Sequence, residues 1–183
     1  MTERLYYRDC YLREFQARVV ETGDEGRRVY LDRTAFYPTS GGQPFDLGTL
    51  GRVAVREVVD EDDRIAHLLD QPGSSLGAGD VVEGRIDWAR RYDHMQQHTG
   101  QHLLSAVLAG EYGIATVSFH LGAEACTIDV DAASIAPERI DAVEDRCASI
   151  VAEARPVVVS FEEATAGLDL RKTSERTGTL RIL

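Results

Sequence analysis

The sequence has only three cysteines, a single lysine and no long apolar run. Cys10, Cys126 and Cys147 are odd in number and lack C-x-x-C spacing, which argues against a disulfide framework and fits reduced thiols in the cytosol. No stretch approaches the roughly 20 apolar residues that a membrane-spanning helix needs. The charged N-terminus also lacks the apolar core of a signal peptide. We therefore expect a cytoplasmic protein without a membrane partner.

The basic residues are almost all arginines, and Lys172 is the single lysine among the 20 of them. The net charge of −11 opposes binding to nucleic acid, so any such binding depends on local basic patches. The sequence contains two candidate basic patches for binding nucleic acid. For both, ordinary solvated surface is the alternative. They are Arg85, Arg90 and Arg91 in the first, and Arg171, Lys172, Arg176 and Arg181 in the second.

Residues 1–86 show the pattern of an all-β segment. Strands are predicted at 15–20, 28–32, 52–59, 64–69 and 80–86, separated by turns rich in glycine and acidic residues. Short strands punctuated this often indicate a small β-barrel. The acidic run at 60–63 is predicted to be a solvated turn and not a metal site.

From residue 87 onward the pattern becomes mixed. A helix is predicted from an N-cap at Asp87 to an end at Gly110 or Gly113, and a second from Pro137 to about Ala154. Strands are predicted at 114–119, 125–130, 157–161 and 180–183, with a candidate short helix at 162–170. The predicted fold is α+β: a barrel domain over 1–86, then a domain over 87–183 with helices on a largely antiparallel sheet. Cys126 and Cys147 are expected in its core.

His98 and His102 stand four residues apart on the first predicted helix. Helical residues at this spacing share one face, so both imidazoles can converge on one zinc ion. His94 cannot join His102 there, because eight helical residues span about 12 Å. Thr99 stands where a metalloprotease of the H-E-x-x-H type has its glutamate, which argues against that class. Hydrogen-bonded histidines without a metal are the alternative.

Three segments, in the same order along the chain, resemble the alanyl-tRNA editing proteins of the AlaX group. These proteins are related to the editing domain of alanyl-tRNA synthetase. The segments are FYPTSGGQPFDLG at 36–48, MQQHTGQHLLS at 95–105, and VSFHLG at 117–122 followed by CTID at 126–129. Three ordered matches argue against an unrelated globular domain.

The resemblance implies a hydrolase that removes wrongly attached serine, in some members glycine, from tRNA for alanine with the help of zinc. It implies His98 and His102 as two zinc ligands. The family takes a further Cys and His from a later C-x-x-x-H segment, which has no counterpart here after His120. We therefore expect a C-terminally incomplete editing domain that binds zinc weakly, with Cys126 as a candidate substitute ligand. The alternative is a non-catalytic tRNA-binding or structural module of the same fold.

The expected partner is mischarged tRNA for alanine, with no DNA partner, and the sequence does not indicate an oligomeric state. Gly41, Gly42 and Gln43 belong to the glycine-rich motif, which the resemblance associates with discrimination of the tRNA–amino acid combination. Glycines also let the backbone approach a ligand closely. A plain turn is the alternative.

Further candidates for substrate binding come from the helix and the strand after it. Gln101, next to His102, is a candidate for bonding a substrate hydroxyl or the tRNA terminus. Thr116, Ser118 and His120 alternate along a strand, so they are predicted to form one polar row facing the histidine helix. Such a row would recognise serine by hydrogen bonds and spare alanine. An exposed helix glutamine and a solvent-facing row are the alternatives.

Overall fold

A computed structural model describes residues 1–71, 76–122, 125–163 and 179–182. The chain forms two compact units, Met1–Ile135 and Ala136–Leu183. The domain boundary expected between residues 86 and 87 stays a prediction. In the described ranges, neither helix has the length and apolar character needed to cross a membrane.

The secondary structure consists of twelve strands and two α-helices in the described residues. They are β1 Glu3–Arg4, β2 Glu14–Gly23, β3 Arg28–Leu31, β4 Arg33–Thr34, β5 Gly48–Leu50, β6 Val53–Glu61, β7 Arg64–Leu69, β8 Val81–Ile86, α1 Trp88–Tyr112, β9 Thr116–Leu121, β10 Cys126–Val130, α2 Pro137–Ala152, β11 Ser160–Glu163 and β12 Thr179–Ile182. The predicted mixed class, with mostly antiparallel strands and two helices, is confirmed.

In the first unit, six antiparallel strands pair in the order β2-β3-β7-β6-β5-β8, and β8 pairs with β2, so the order closes on itself. Alternate residues of β2, Phe15, Ala17 and Val19, are buried, as expected for strands with one apolar face. Their side chains join an apolar cluster with residues from the other five strands. All five predicted strands of this segment have counterparts, whereas the short β1, β4 and β5 were not predicted.

Helix α1 begins and ends where the sequence predicts. The Asp87 side chain accepts a hydrogen bond from Arg90 N at 3.2 Å, which satisfies one of the free N–H groups of the first turn. Gly113 ends the helix in the left-handed conformation, at φ 66°. The helix contacts β9, which pairs with β10 as an antiparallel hairpin. This helix and hairpin carry most of the predicted site residues.

The second unit contains α2 and the antiparallel pair β11–β12. The second predicted helix is confirmed and ends two residues earlier than expected, at Ala152. The strand predicted at 157–161 lies later, at Ser160–Glu163. Of the short helix predicted at 162–170, the first two residues belong to β11 and the remainder lies outside the described residues.

His67 is a fully buried histidine in β7 with both ring nitrogens hydrogen bonded. Its Nδ1 donates to Val29 O at 3.1 Å, and its Nε2 lies 2.8 Å from the Thr34 hydroxyl oxygen. In the neutral ring the Thr34 hydroxyl can donate to Nε2, so burial of the uncharged form leaves no ring nitrogen unpaired. Burial lowers the pKa of His67 from 6.5 to about 4.

We expect this histidine to make the first unit less stable in acid. Between pH 6.5 and 4 the unfolded chain binds a proton at His67 that the folded chain does not, so stability falls as the pH is lowered. The full loss is about 3 kcal/mol. Urea unfolding at several pH values measures this loss. His67→Gln should reduce the pH dependence of the free energy of unfolding by the amount that corresponds to about one bound proton. His120→Gln, at an exposed position, should keep the original slope.

Candidate active site

His98 and His102 lie side by side on α1, as their spacing predicts. Their ring centroids are 4.9 Å apart and their planes differ by 23°. His98 is half-buried and also stacks on the Phe119 ring, with centroids 6.3 Å apart. Burial, and then the neighbouring His102, lowers the pKa of His98. The lowered pKa favours the neutral ring of His98, in which one nitrogen carries no proton.

The glycine-rich motif reaches this histidine. Ser40 and Gln43 exchange two backbone hydrogen bonds of 3.0 and 3.1 Å, and the two residues between them, Gly41 and Gly42, have φ of 58° and 82°. Two successive positive φ values are the pattern of a tight type I′ turn and favour glycine. The turn brings the Gln43 side chain, 6% exposed, to His98, where Oε1 and Nδ1 are 3.0 Å apart.

A buried ion pair fixes the same loop to α1. Arg91 Nε donates to the two carboxylate oxygens of Asp46 at 2.9 and 3.0 Å, and Arg91 Nη2 to one of them and to Ala35 O. Asp46 also accepts from Tyr37 N at 2.7 Å. The assignment of Arg91 to an exposed basic patch is therefore wrong, because its charge is used inside the fold.

The other members of the two predicted patches are described only in part. Arg90 lies over the Phe45 ring and donates to Phe45 O, while Arg85 pairs with Glu83 and Glu14. Arg85 stays exposed and Arg90 is half-buried, so of the three candidate residues at the start of α1 the structure excludes only Arg91 from the surface. Of the second patch, Arg171, Lys172, Arg176 and the side chain of Arg181 lie outside the described residues.

A β-bulge changes the face of the predicted polar row. Ser118 pairs with Asp129 but Thr116 pairs with Val130, so Val117 is an extra residue in β9. Thr116 therefore points to α1, where its hydroxyl donates to Ser105 Oγ at 2.8 Å. Ser118, bonded to Asp129, and His120 are exposed on the other face. The prediction of one row facing the helix is wrong because simple alternation does not hold across a bulge.

Gln101 lines a cavity of about 170 Å³ between α1 and the hairpin. Its Nε2 donates to the buried Ser105 Oγ at 2.8 Å, so Gln101 and Thr116 share one hydroxyl as acceptor. Phe119 lines the same cavity and links it to His98. Cys126, expected in the core, is instead exposed at the edge of this cavity. The cavity residues are Gln97, Gly100, Gln101, Leu104, Phe119, Cys126, Thr127 and Ile128.

The histidine pair fits half of a zinc site. A zinc-bound histidine usually donates its second ring N–H to an oxygen, and Gln43 Oε1 is placed to accept it from His98. The neutral ring then offers Nε2 as a ligand atom. Within the described ranges, however, no three His, Cys, Asp or Glu side chains are grouped closely enough to hold a metal. The described residues thus provide two ligands of the three or four that zinc normally takes from protein.

Comparison with known proteins identifies the family. Residues 9–90 match the family of class II (A) tRNA synthetases. The alanyl-tRNA editing protein AlaX-M of Methanosarcina mazei is 40% identical over 177 residues, which cover 90% of this chain and 70% of that protein. The chain belongs to the alanyl-tRNA editing protein family.

Longer members of the family are also similar over most of this chain. AlaX-L of Pyrococcus horikoshii is 37% identical over 165 residues, which cover 87% of this chain and 41% of that protein. The alanyl-tRNA editing protein Aarsd1 of Rattus norvegicus is 36% identical over 170 residues, which cover 85% of this chain and 40% of the rat protein. The resemblance inferred from the three motifs is thereby confirmed.

Proposed function

We propose that this chain is an aminoacyl-tRNA deacylase that hydrolyses the ester between serine, or glycine, and tRNA for alanine. Family membership supports the editing role. The observation that carries the proposal is the His98–His102 pair, with Gln43 of the glycine-rich motif bonded to His98. A motif from the strand-rich segment and a motif from α1 therefore meet at one potential reaction centre.

We further propose zinc as the cofactor, with His98 and His102 as two of its ligands. When bound, zinc polarises the ester carbonyl as a Lewis acid or activates water. Gln43 accepts a hydrogen bond from Nδ1–H of His98 and so leaves Nε2 as the ligand atom. The burial that lowers the pKa of His98 keeps the ring neutral, as a ligand must be. Weak zinc binding by this chain stays a prediction.

Serine recognition is assigned to Gln101 and not to the polar row first predicted. Because its amide nitrogen donates to Ser105, Gln101 keeps its amide oxygen as an acceptor at the cavity. A serine hydroxyl can donate to this oxygen, whereas the methyl group of alanine leaves it unpaired. A site built to bond a hydroxyl rejects an analogue without one by several kcal/mol. Thr116 acts through Ser105 as a positioning residue.

Deacylation of charged tRNA, with zinc content measured in parallel, tests this function. With zinc supplied in excess, to offset the weak binding predicted for a half-complete site, the chain is expected to hydrolyse Ser-tRNA for alanine and to leave Ala-tRNA largely intact. His102→Ala should abolish hydrolysis and lower zinc content, because removing a ligand opens the metal site. Gln101→Leu should keep the metal and narrow the serine-to-alanine rate ratio by roughly 10- to 100-fold.

The matched control is Gln96→Leu, an exposed glutamine on the same helix that should behave as the unchanged protein. Equal rates on both tRNAs would remove the discrimination mechanism. Full activity in His102→Ala would contradict the proposal that a metal ion held by His102 is needed for hydrolysis. The alternative, a non-catalytic tRNA-binding module, requires binding of tRNA with no hydrolysis of either ester.

A further inference from the structure

Two exposed tyrosine rings, the half-buried Trp88 ring and one exposed arginine form a cluster at the start of α1. We call Tyr11, Arg13, Trp88 and Tyr92 the aromatic ladder. Trp88 stacks on Tyr92 with centroids 5.4 Å apart, and Tyr11 contacts Trp88 at 5.6 Å. The guanidinium carbon of Arg13 lies 4.2 Å from the centroid of the Trp88 ring. Trp88 is thus the centre of the ladder.

Two hydrogen bonds to main-chain carbonyls hold the ladder in place. Ile86 N donates to Arg13 O at 2.8 Å, which joins the residue before β2 to the end of β8. Arg91 Nη1 donates to Cys10 O at 3.0 Å, so the buried ion pair also anchors the chain next to Tyr11. The rings are therefore ordered on a fixed support, which reduces the entropy lost when a ligand binds.

The ladder has features that suit a nucleobase. Tyr11 and Tyr92 are 57% and 40% exposed, so large ring surfaces remain open to solvent. No carboxylate in the described part of the chain forms an ion pair with Arg13, which leaves its charge available to a phosphate. Aromatic rings beside an arginine are the usual platform for stacking unpaired bases. The net charge of −11 opposes attraction of a duplex by phosphates alone, so stacking must supply the affinity.

We propose that the aromatic ladder stacks unpaired bases near the 3′ end of the RNA whose ester is hydrolysed at the histidine pair. This rests on the proposed function, because it places the substrate of that site. Trp88 and His98 are ten residues apart on one helix, or about 15 Å. Stacked nucleotides advance about 3.4 Å each, so four or five of them span this distance. The bases of an unpaired 3′ end reach the ladder while its ester lies beside His98.

The single tryptophan makes the test direct, because the fluorescence of Trp88 reports only on the ladder. Titration with a single-stranded hexaribonucleotide should quench it to saturation, whereas a blunt-ended duplex, in which every base is paired, should not. Tyr92→Leu should weaken binding of the hexanucleotide roughly tenfold. Arg13→Gln should lower the slope of log affinity against log salt by about 0.7, the value for one phosphate contact on a single strand.

Phe161→Leu and Arg56→Gln remove an exposed aromatic ring and an exposed arginine elsewhere, and both should bind as the unchanged protein does. The proposal is overturned if the hexanucleotide does not quench Trp88, or if these controls lose as much affinity as Tyr92→Leu and Arg13→Gln. A chain that hydrolyses Ser-tRNA but shows no quenching contradicts the ladder alone. A chain that is quenched but hydrolyses neither ester contradicts the proposed function alone.

Discussion

Arg91→Met is expected to lower the free energy of unfolding of the first unit by about 3–5 kcal/mol. The side chains of Arg91 and Asp46 are 2% and 0% exposed, so the variant leaves a carboxylate buried without its partner. It also removes the donors to Ala35 O and Cys10 O. Urea unfolding followed by the fluorescence of Trp88, which lies in this unit, measures the loss.

Arg90→Met is the matched control, since Arg90 is the adjacent arginine and is only half-buried over Phe45. Its loss should stay near or below 1 kcal/mol. The double variant Arg91→Met/Asp46→Leu should be more stable than the sum of the single changes predicts, because neither charge is then left unpaired. Similar losses in Arg91→Met and Arg90→Met would show that the buried pair is not special.

Local signals were sufficient to place α1 and most strands from the sequence. Asp87 and Gly113 mark the helix ends through their own side chain and backbone, without help from distant residues. The same holds for the pair of histidines, because four-residue spacing fixes their shared face. Strands β1, β4 and β5 were missed since two or three residues are too few to show a period of two.

The contacts that build the site are long-range and could not be predicted in this way. Arginine is seldom buried. The burial of Arg91 depends on its partner Asp46, which lies 45 residues away in the sequence. Gln43 and His98 are 55 residues apart, so the glycine-rich motif and the helix motif were each recognised without the bond between them. The bulge at Val117 depends on how β9 pairs with β10, and it reversed the expected face of the strand.

Gln43→Leu is expected to lower zinc affinity about 10- to 100-fold, the usual effect of losing the hydrogen bond behind a histidine ligand. In the unchanged protein Gln43 Oε1 lies 3.0 Å from Nδ1 of His98, where it can accept a hydrogen bond and so favour the Nδ1–H tautomer. Leucine cannot accept a hydrogen bond from Nδ1. The His98 ring is then free to change its tautomer and its orientation. Nitrogen-15 NMR of the histidine rings in metal-free protein reads the tautomer directly, and competition with a chelator measures zinc affinity separately.

Two further variants separate this positioning role from simple packing of the loop. Gln43→Glu keeps an acceptor at the same place, and should retain the Nδ1–H tautomer and most of the zinc affinity of the unchanged protein. Gln101→Leu removes a glutamine that donates to Ser105 and not to a histidine, so the His98 tautomer should not change. If His98 of the unchanged protein carries its proton on Nε2, then Gln43 is a donor to the ring and cannot direct Nε2 to a metal. If the tautomer is Nδ1–H in all three variants, the fold of α1 and Phe119 alone orients His98, and the glycine-rich turn serves another purpose at this site.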